Sequence, residues 1–393
     1  MSYRKIILHK GKEQSLQRFH PWVFSGAIKV MDSDMKDGEV VEIYSANDQF
    51  LGMAHYQKGS ISGRVLSYRK ATIDTTFWIQ KIQKAFDYRR FLNLTDNPHT
   101  NVYRLLFGEG DGLPGLVLDY YAGHVVFQAH SIGMHMQRQD ICLALQEVLK
   151  DRLLSVYDKS SETLPSQYAA GIQNGLLWGK AEDEVIVKEN DAQFYIDWIH
   201  GQKTGFFIDQ RDNRELVGKY ASGKRVLNTF SYTGGFSVYA GLKGATAVHS
   251  VDSSAKAVDF CNRNAVLNNI SNHEGFAVDT FDFLKEKATE YDLVILDPPA
   301  FAKSRDVKHN AVIGYKRLNE MALRKIKKGG ILFTFSCSQV IDKYLFYNTI
   351  TAAAIEARRN IKLLHFLSQP ADHTIVPTFP EGEYLKGLAF YVD

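Results

Sequence analysis

The sequence predicts an α/β protein in three parts: a small β-rich module, a mixed α/β middle segment and a C-terminal doubly wound parallel sheet. Three observations predict it. At 393 residues the chain exceeds one typical domain, so two or three are expected. From about residue 189 onward, apolar strand-like runs alternate with amphipathic helical stretches, a pattern that implies parallel strands with helices on both faces. The first seventy residues carry instead short β-like runs punctuated by glycine.

The β-rich module, residues 1–72, rests on "GEVVEIYS" and "SGRVLSY", with Gly38, Gly52, Gly59 and Gly63 between runs. In "TTFWIQKIQKAFDYRRFL" the apolar residues fall at 78, 82, 85, 86 and 92, a helical spacing with Asp74 or Thr75 placed to cap it. This helix opens the middle segment, residues 73–188. There follow a glycine-rich loop "GEGDGLPG", a hairpin "GLVLDYYAGHVVFQAH" and one helix near 134–150. The loop lacks the Gly-Lys-Ser/Thr that a P-loop requires, so it reads as a tight surface turn. In residues 189–393 the strands are "RVLNTF", "AVHSVD", "HEGFAV", "YDLVILD" and "GGILFTFS". The helices between them are "FSVYAGLKG", "AKAVDFCNRNAVLN", "TFDFLKEKA" and "YKRLNEMALRKI". A helix near 343–358 precedes "IKLLHFL" and "LKGLAFYV", which lack a helical crossover and so are expected as an antiparallel pair at one edge.

Composition excludes several classes. No run approaches the roughly 20 apolar residues of a membrane span, and the N-terminus has no signal-peptide pattern. Cys142, Cys261 and Cys337 stand at unrelated spacings, which excludes a disulfide framework or a CxxC zinc site and fits a reducing cytoplasm. Net charge is +3, but the first twenty residues hold Arg4, Lys5, Lys10, Lys12 and Arg18 against Glu13 alone. A basic end suits a polyanionic partner as well as it suits a solvated surface.

In a doubly wound sheet, ligands bind beyond the carboxyl ends of the strands. The first strand of the C-terminal part runs into "LNTFSYTGGFSVYAG", where Gly234 and Gly235 either admit a ligand to the backbone or let a helix pack closely. The dinucleotide GxGxxG is absent. The second strand ends in "SVDSS", so that Asp252 can accept from a ribose diol or cap the next helix. The third runs into "VDTFDFL", which brings Asp279 toward an adenine amino group and Phe281 toward the ring. The set Asn228, Phe230, Tyr232, Thr233, Gly234, Asp252, Ser253, Asp279, Thr280 and Phe281 therefore suits a nucleoside without phosphates, such as S-adenosylmethionine (SAM).

The fourth strand closes on "DPPAF". Pro298 and Pro299 fix the backbone behind Asp297 and hold Phe301 nearby, as a pocket for a flipped base would need. The fifth strand ends in "FTFSCSQ", which places Cys337 beside Asp297. C5 of a pyrimidine becomes nucleophilic only after a thiolate adds at C6, whereas an amino group needs no such help. Cys142 and Cys261 sit at apolar helix positions and read as core.

Taken in order, "HPWVFSGAI", "EGDGLPGLVLDYY", "TGFFIDQRDNR", "FSYTGGFSVYA", "LDPPAFAKS", "FSCS" and "FPEGEYLKGL" resemble the PUA-containing class I SAM-dependent methyltransferases, typified by bacterial 23S rRNA (cytosine-5)-methyltransferases. The resemblance runs from about residue 5 to the C-terminus. It implies an N-terminal PUA domain, a central α/β domain and a Rossmann-like methyltransferase domain. It also implies that Cys337 is the attacking thiol and that Asp297 holds the base. The chain departs from many RNA cytosine-5 enzymes at Ala300, where they carry a second cysteine for product release, so the releasing base is left unassigned.

The expected activity is thus SAM-dependent formation of 5-methylcytosine in large-subunit rRNA by a cytoplasmic enzyme without metal. Arg4, Lys5, Arg18, His20, Trp22, Lys303, Arg305 and Lys308 are candidates for RNA contact. Amino-group methylation of adenine N6 or guanine N2, and RNA binding without catalysis, stay open, as does a homodimer.

Overall fold

The computed structural model describes residues 3–180, 184–286, 290–302, 306 and 308–393. The chain forms two compact units. The first comprises 1–187, 196–206 and 371–382, the second 188–195, 207–370 and 383–393.

In the first unit, a six-stranded sheet has the order Trp22–Phe24, Ile61–Ser67, Phe50–Tyr56, Val40–Tyr44, Arg4–Leu8, Ile28–Val30. Alternate residues such as Ile6 and Leu8, or Val41 and Ile43, point inward and are fully buried. The helix Thr75–Phe91 begins where its spacing predicts, and Asp74 caps it by accepting from the Phe77 N–H at 2.9 Å. Phe77, Trp78, Ile82, Ala85 and Phe86 form its buried face. Five strands (Val102–Phe107, Leu116–Tyr121, His124–Ala129, Ser155–Asp158 and Gly175–Gly179) make the second sheet, with the expected hairpin at its centre.

Two local expectations need correction. The single helix near 134–150 is two, Ile132–Met136 and Arg138–Leu149, because Gln137 at φ −88° and ψ 6° leaves helical geometry. The "GEGDGLPG" loop is not purely surface. Its Asp111 carboxylate accepts from both terminal nitrogens of the fully buried Arg89, at 2.7 and 2.8 Å.

The second unit is built on seven strands: β1 (Arg225–Thr229), β2 (Ala247–Asp252), β3 (His273–Ala277), β4 (Tyr291–Leu296), β5 (Ile326–Ser336), β6 (Ile361–Leu367) and β7 (Lys386–Val392). Their order is β3-β2-β1-β4-β5-β7-β6. The first five are parallel, and β7 runs antiparallel to both β5 and β6, as expected for the last pair. The helices are α1 (Arg211–Ala221), α2 (Gly235–Leu242), α3 (Ala255–Leu267), α4 (Thr280–Glu286), α5 (Lys308–Leu323) and α6 (Lys343–Glu356). The near-continuous apolar run of β4 follows from burial on both faces. Val294 and Leu296 pack with Tyr315, Leu318 and Phe346, and Leu293 and Ile295 pack with Val217, Phe236 and Ala240.

The strand order reverses between β1 and β4, which opens a crevice at their carboxyl ends. One buried ion pair braces the start of α1. Arg214 is 2% exposed and Glu189 fully buried, and they join through two bonds of 2.8 and 2.7 Å. Among the described residues no helix is long and apolar enough to cross a membrane, and no group of His, Cys, Asp and Glu could hold a metal ion.

Candidate active site at the strand tips

The loop after β1 is tightly constrained. Phe230, Tyr232 and Gly234 have φ of 54°, 46° and 82°, so three of five residues are left-handed and two of these carry side chains. Such geometry costs about 1 kcal/mol or more per non-glycine residue and persists only where neighbours impose it. Here Asp252, at the tip of β2, accepts from the Tyr232 N–H at 2.9 Å through Oδ2, while Oδ1 accepts from Ser254 N–H at 2.9 Å. The α3 cap is Ser254, whose hydroxyl accepts from Ala257 N–H at 3.2 Å, so Asp252 is not the helix cap. Close packing accounts for the two glycines. A Cβ on Gly234 would run into the sulfur of Cys261, and one on Gly235 would lie 2.9 Å from Cδ of Arg214.

The remaining cofactor candidates line the same end of the sheet. Asn228 is buried at the end of β1, and its amide donates to Ser237 Oγ at 2.9 Å. Its Oδ1 and the hydroxyl of Ser231 are buried without a partner. Thr233 is buried in the loop, and Ser253 is exposed. Asp279 caps α4 with Oδ1, accepting from Phe281 and Asp282 N–H at 2.8 and 3.2 Å. Thr280 is buried behind it, and the half-buried Phe281 lies 5.6 Å from the Arg317 guanidinium. Orphaned acceptors at β1, a ribose-type carboxylate at β2 and an acid plus ring at β3 fit a bound nucleoside. Each carboxylate keeps accepting capacity, since it offers about four lone-pair positions.

One strand over, Leu296 of β4 pairs with Thr334 of β5. Asp297 therefore leaves β4 one residue past the pairing, and Cys337 leaves β5 three residues past it. Asp297 is half-buried, and its Oδ2 accepts from Gln210 Nε2 at 3.1 Å. The Gln210 amide is oriented by Asn213, which donates to its oxygen at 2.7 Å. Behind Asp297, Pro298 is buried and Pro299 exposed. The Phe301 ring is held 4.7 Å from that of Tyr315. The Ala302 carbonyl accepts from the Ser338 hydroxyl at 2.7 Å, which ties the "DPPAF" segment to the turn carrying Cys337.

Cys337 is partly exposed, whereas Cys142 and Cys261 are buried as expected. Two buried groups lie within its electrostatic reach. The Tyr315 phenol accepts from Ser336 Oγ at 2.9 Å, and burial pushes it up to about 12. Lys386, 6% exposed, donates to the carbonyls of Ser338 and Tyr384, each at 2.6 Å. Burial lowers its ammonium to about 8, and the negative potential of Cys337 is the largest charge opposing that shift.

The candidate RNA contacts differ in availability. Arg4 is engaged by Asp34 at 2.9 and 3.1 Å, and Lys5 lies 3.9 Å from Asp48 and over the Tyr44 ring. Arg18 is exposed. His20 and Trp22 form an aromatic cluster with Phe24 and Phe379, and the Trp22 indole donates to Glu109 at 2.8 Å. Lys308 is the half-buried first residue of α5, while Lys303 and Arg305 lie outside the described residues.

Sequence reading missed Gln210, Tyr315 and Lys386. Two signals were available. Asp209, Gln210, Arg211, Asn213 and Arg214 form a polar run directly behind the apolar "GFFI", and Lys386 interrupts the otherwise apolar "LKGLAFYV".

A parallel sheet with this switch point, with polar side chains across the tips of β1 to β3 that suit a nucleoside and with Asp297 and Cys337 at the tips of β4 and β5, has the architecture of a class I methyltransferase. Residues 6–68 match a PUA-like domain, and residues 162–390 match the S-adenosylmethionine-dependent methyltransferase family. The chain is 40% identical over 391 residues to ribosomal RNA large subunit methyltransferase I of Aeromonas salmonicida, covering 98% of each. It is 37% identical over 393 residues to the protein of that name from Yersinia pestis, again covering 98% of each. Two solved structures superpose with a TM-score of 0.84 at 26% identity, covering 99% of this chain and 100% of theirs. One is assigned to the SAM-dependent methyltransferases and comes from Streptococcus mutans, and the other is assigned as a methyltransferase and holds SAH. The chain belongs to the ribosomal RNA large subunit methyltransferase I family of SAM-dependent methyltransferases, with an N-terminal PUA-like domain.

Proposed function

We propose that this protein forms 5-methylcytosine in large-subunit ribosomal RNA through a cysteine adduct. The observation that carries this reading is the position of Cys337. It is the one cysteine that is not buried, and it leaves the strand next to the one carrying Asp297. The names of the relatives supply the RNA class. In the proposed course, Asp297, oriented by Gln210, accepts from the amino edge of an extruded cytosine. The Cys337 thiolate adds at C6, and the ring electrons shift to C5. Asn228, Asp252, Asp279 and Phe281 would hold SAM, which when bound would supply the methyl group that C5 accepts, with S-adenosylhomocysteine as the leaving group. Loss of the C5 proton restores the double bond and expels the thiolate. Nucleoside mass spectrometry of rRNA from cells with the intact gene, without it, or carrying Cys337→Ala tests the reading. 5-Methylcytosine at one site is expected to disappear in the last two.

A second reading is supported by the Asp-Pro-Pro-aromatic motif, which is also typical of amino-group methyltransferases of adenine N6 or guanine N2. On that reading Cys337→Ala keeps most activity. An RNA-binding protein without catalysis would fail to bind SAM in calorimetry.

The division at residues 72/73 and 188/189 assigns the six-stranded sheet to RNA capture, with Arg18, His20 and Trp22 available for contact. Lys308, at the start of α5, is assigned to phosphates flanking the base. A cytoplasmic location and a homodimer are tested by fractionation and by light scattering.

A further inference from the structure

The cysteine-adduct reading leaves one step without an agent, because no second cysteine follows Asp297 and something must take the C5 proton. With sulfur on one face of the ring and the methyl donor on the other, that proton lies on the sulfur's side. The base must therefore sit beside Cys337.

Lys386 sits there. It pairs with Ser336 in the β5–β7 ladder, and its side chain reaches forward to the carbonyl of Ser338, so that it brackets Cys337 from both chain neighbours. The Tyr384 carbonyl is its other partner. A neutral amine has two N–H bonds and one lone pair. Two carbonyls at 2.6 Å accept both N–H bonds, and the lone pair is left for a proton. The rival groups nearby serve less well. Tyr315 is 1% exposed, takes the Ser336 hydroxyl bond and ionises only near 12. Asp297 is committed to the base edge.

We propose that Lys386 is the general base that removes the C5 proton from the methylated adduct, a role that rests on the cysteine-adduct reading. The Lys386 amine takes the proton, the C5–H electrons form the C5–C6 double bond, and the C6–S pair leaves with Cys337 as thiolate. The ammonium then returns its proton to water.

The charges around Lys386 give this step its timing. Three groups favour its ammonium: Cys337, Glu383 just before β7, and Asp342 at the start of α6. Among the described residues, no carboxylate comes within ion-pair distance of its nitrogen. While Cys337 is a thiolate, it favours the ammonium, and once its sulfur is bonded to C6 that influence is gone and the amine is favoured. The base form is thus promoted when an adduct exists to be resolved. Burial, opposed by these charges, lowers the group to about 8, near the pH at which a general base works best.

The test uses the full chain, SAM with a labelled methyl group and an unmodified 23S rRNA transcript. Lys386→Met and Lys386→Arg are expected to bind SAM as the wild type does. Both are expected to accumulate a methylated RNA–protein adduct that survives denaturing electrophoresis, with release of 5-methylcytosine falling about 10²-fold or more. Arginine keeps the charge but cannot act as a base at neutral pH. Recovery of turnover in Lys386→Arg would therefore overturn the assignment, as would loss of adduct in parallel with product in either variant. Should Lys386→Met fail to fold, Lys386→Arg and the wild-type pH profile decide the matter, since adduct release must slow below about pH 8. Activity retained by Cys337→Ala would instead sink the cysteine-adduct reading itself, and this outcome is separate from all of those above.

Discussion

Two cysteines in the same sheet architecture have opposite fates. Cys261, on α3, has an obvious candidate activator in His273, whose Nε2 lies 3.3 Å from its sulfur and 2.8 Å from Ser250 Oγ. Cys337 leaves its strand tip with a buried lysine and a phenol within electrostatic reach. Burial decides between the two. Cys261 is fully buried and its thiol is pushed up to about 12, while the same burial lowers His273 to about 4. Thiol and imidazole both stay neutral, and the sulfur serves as the surface against which Gly234 packs. Cys337 is partly exposed at the crevice and has a cation nearby. A proximate base does not make a nucleophile, because access and a stabilising charge are required as well.

Substitution of each sulfur gives the largest contrast. Cys337→Ala is expected to lose methylation by about 10³-fold or more, with the fold intact by circular dichroism. Cys261→Ala is expected to retain activity and lose about 1–2 kcal/mol of stability in urea titration. Next in size is the carboxylate. Asp297→Asn is expected to lower kcat about 10²-fold, and Gln210→Leu, which removes the bond orienting Asp297 together with the one Gln210 accepts from Asn213, about tenfold. Gly234→Ala sharpens the structural side of the comparison. A positive φ and a collision with the Cys261 sulfur should cost about 2–3 kcal/mol, and part of that should return in a Cys261→Ala background.

The smallest effect is in pH. His273, lowered by burial, and His55, which is 1% exposed and also lowered to about 4, have folded values below the ordinary 6.5. As pH falls, the unfolded chain takes up these protons first. Stability is therefore held above pH 6.5 and lost as pH drops toward 4. The melting midpoint should fall across that window, and His273→Gln should flatten part of the slope.

The parallel sheet was legible because its strands are buried on both faces and read as apolar runs such as "LVIL". Strand ends then located Asp252, Asp279, Asp297 and Cys337, since the last apolar residue marks the tip. Side chains that reach those tips from elsewhere stand out in the sequence as misplaced polar residues, but their partners could not be read. Gln210 lies 87 residues from Asp297, and Lys386 lies 48 from Ser338, so only the folded sheet brings them together. The break at Gln137 was invisible for a different reason, because no glycine or proline marks it.

The most direct test is to incubate the protein with SAM and target RNA carrying 5-fluorocytidine, in which fluorine replaces the proton that must leave C5. The account predicts a stable RNA adduct mapped by peptide mass spectrometry to Cys337, absent in Cys337→Ala. Full methylation of an unsubstituted transcript by Cys337→Ala, with no adduct on the fluorinated RNA, would contradict it.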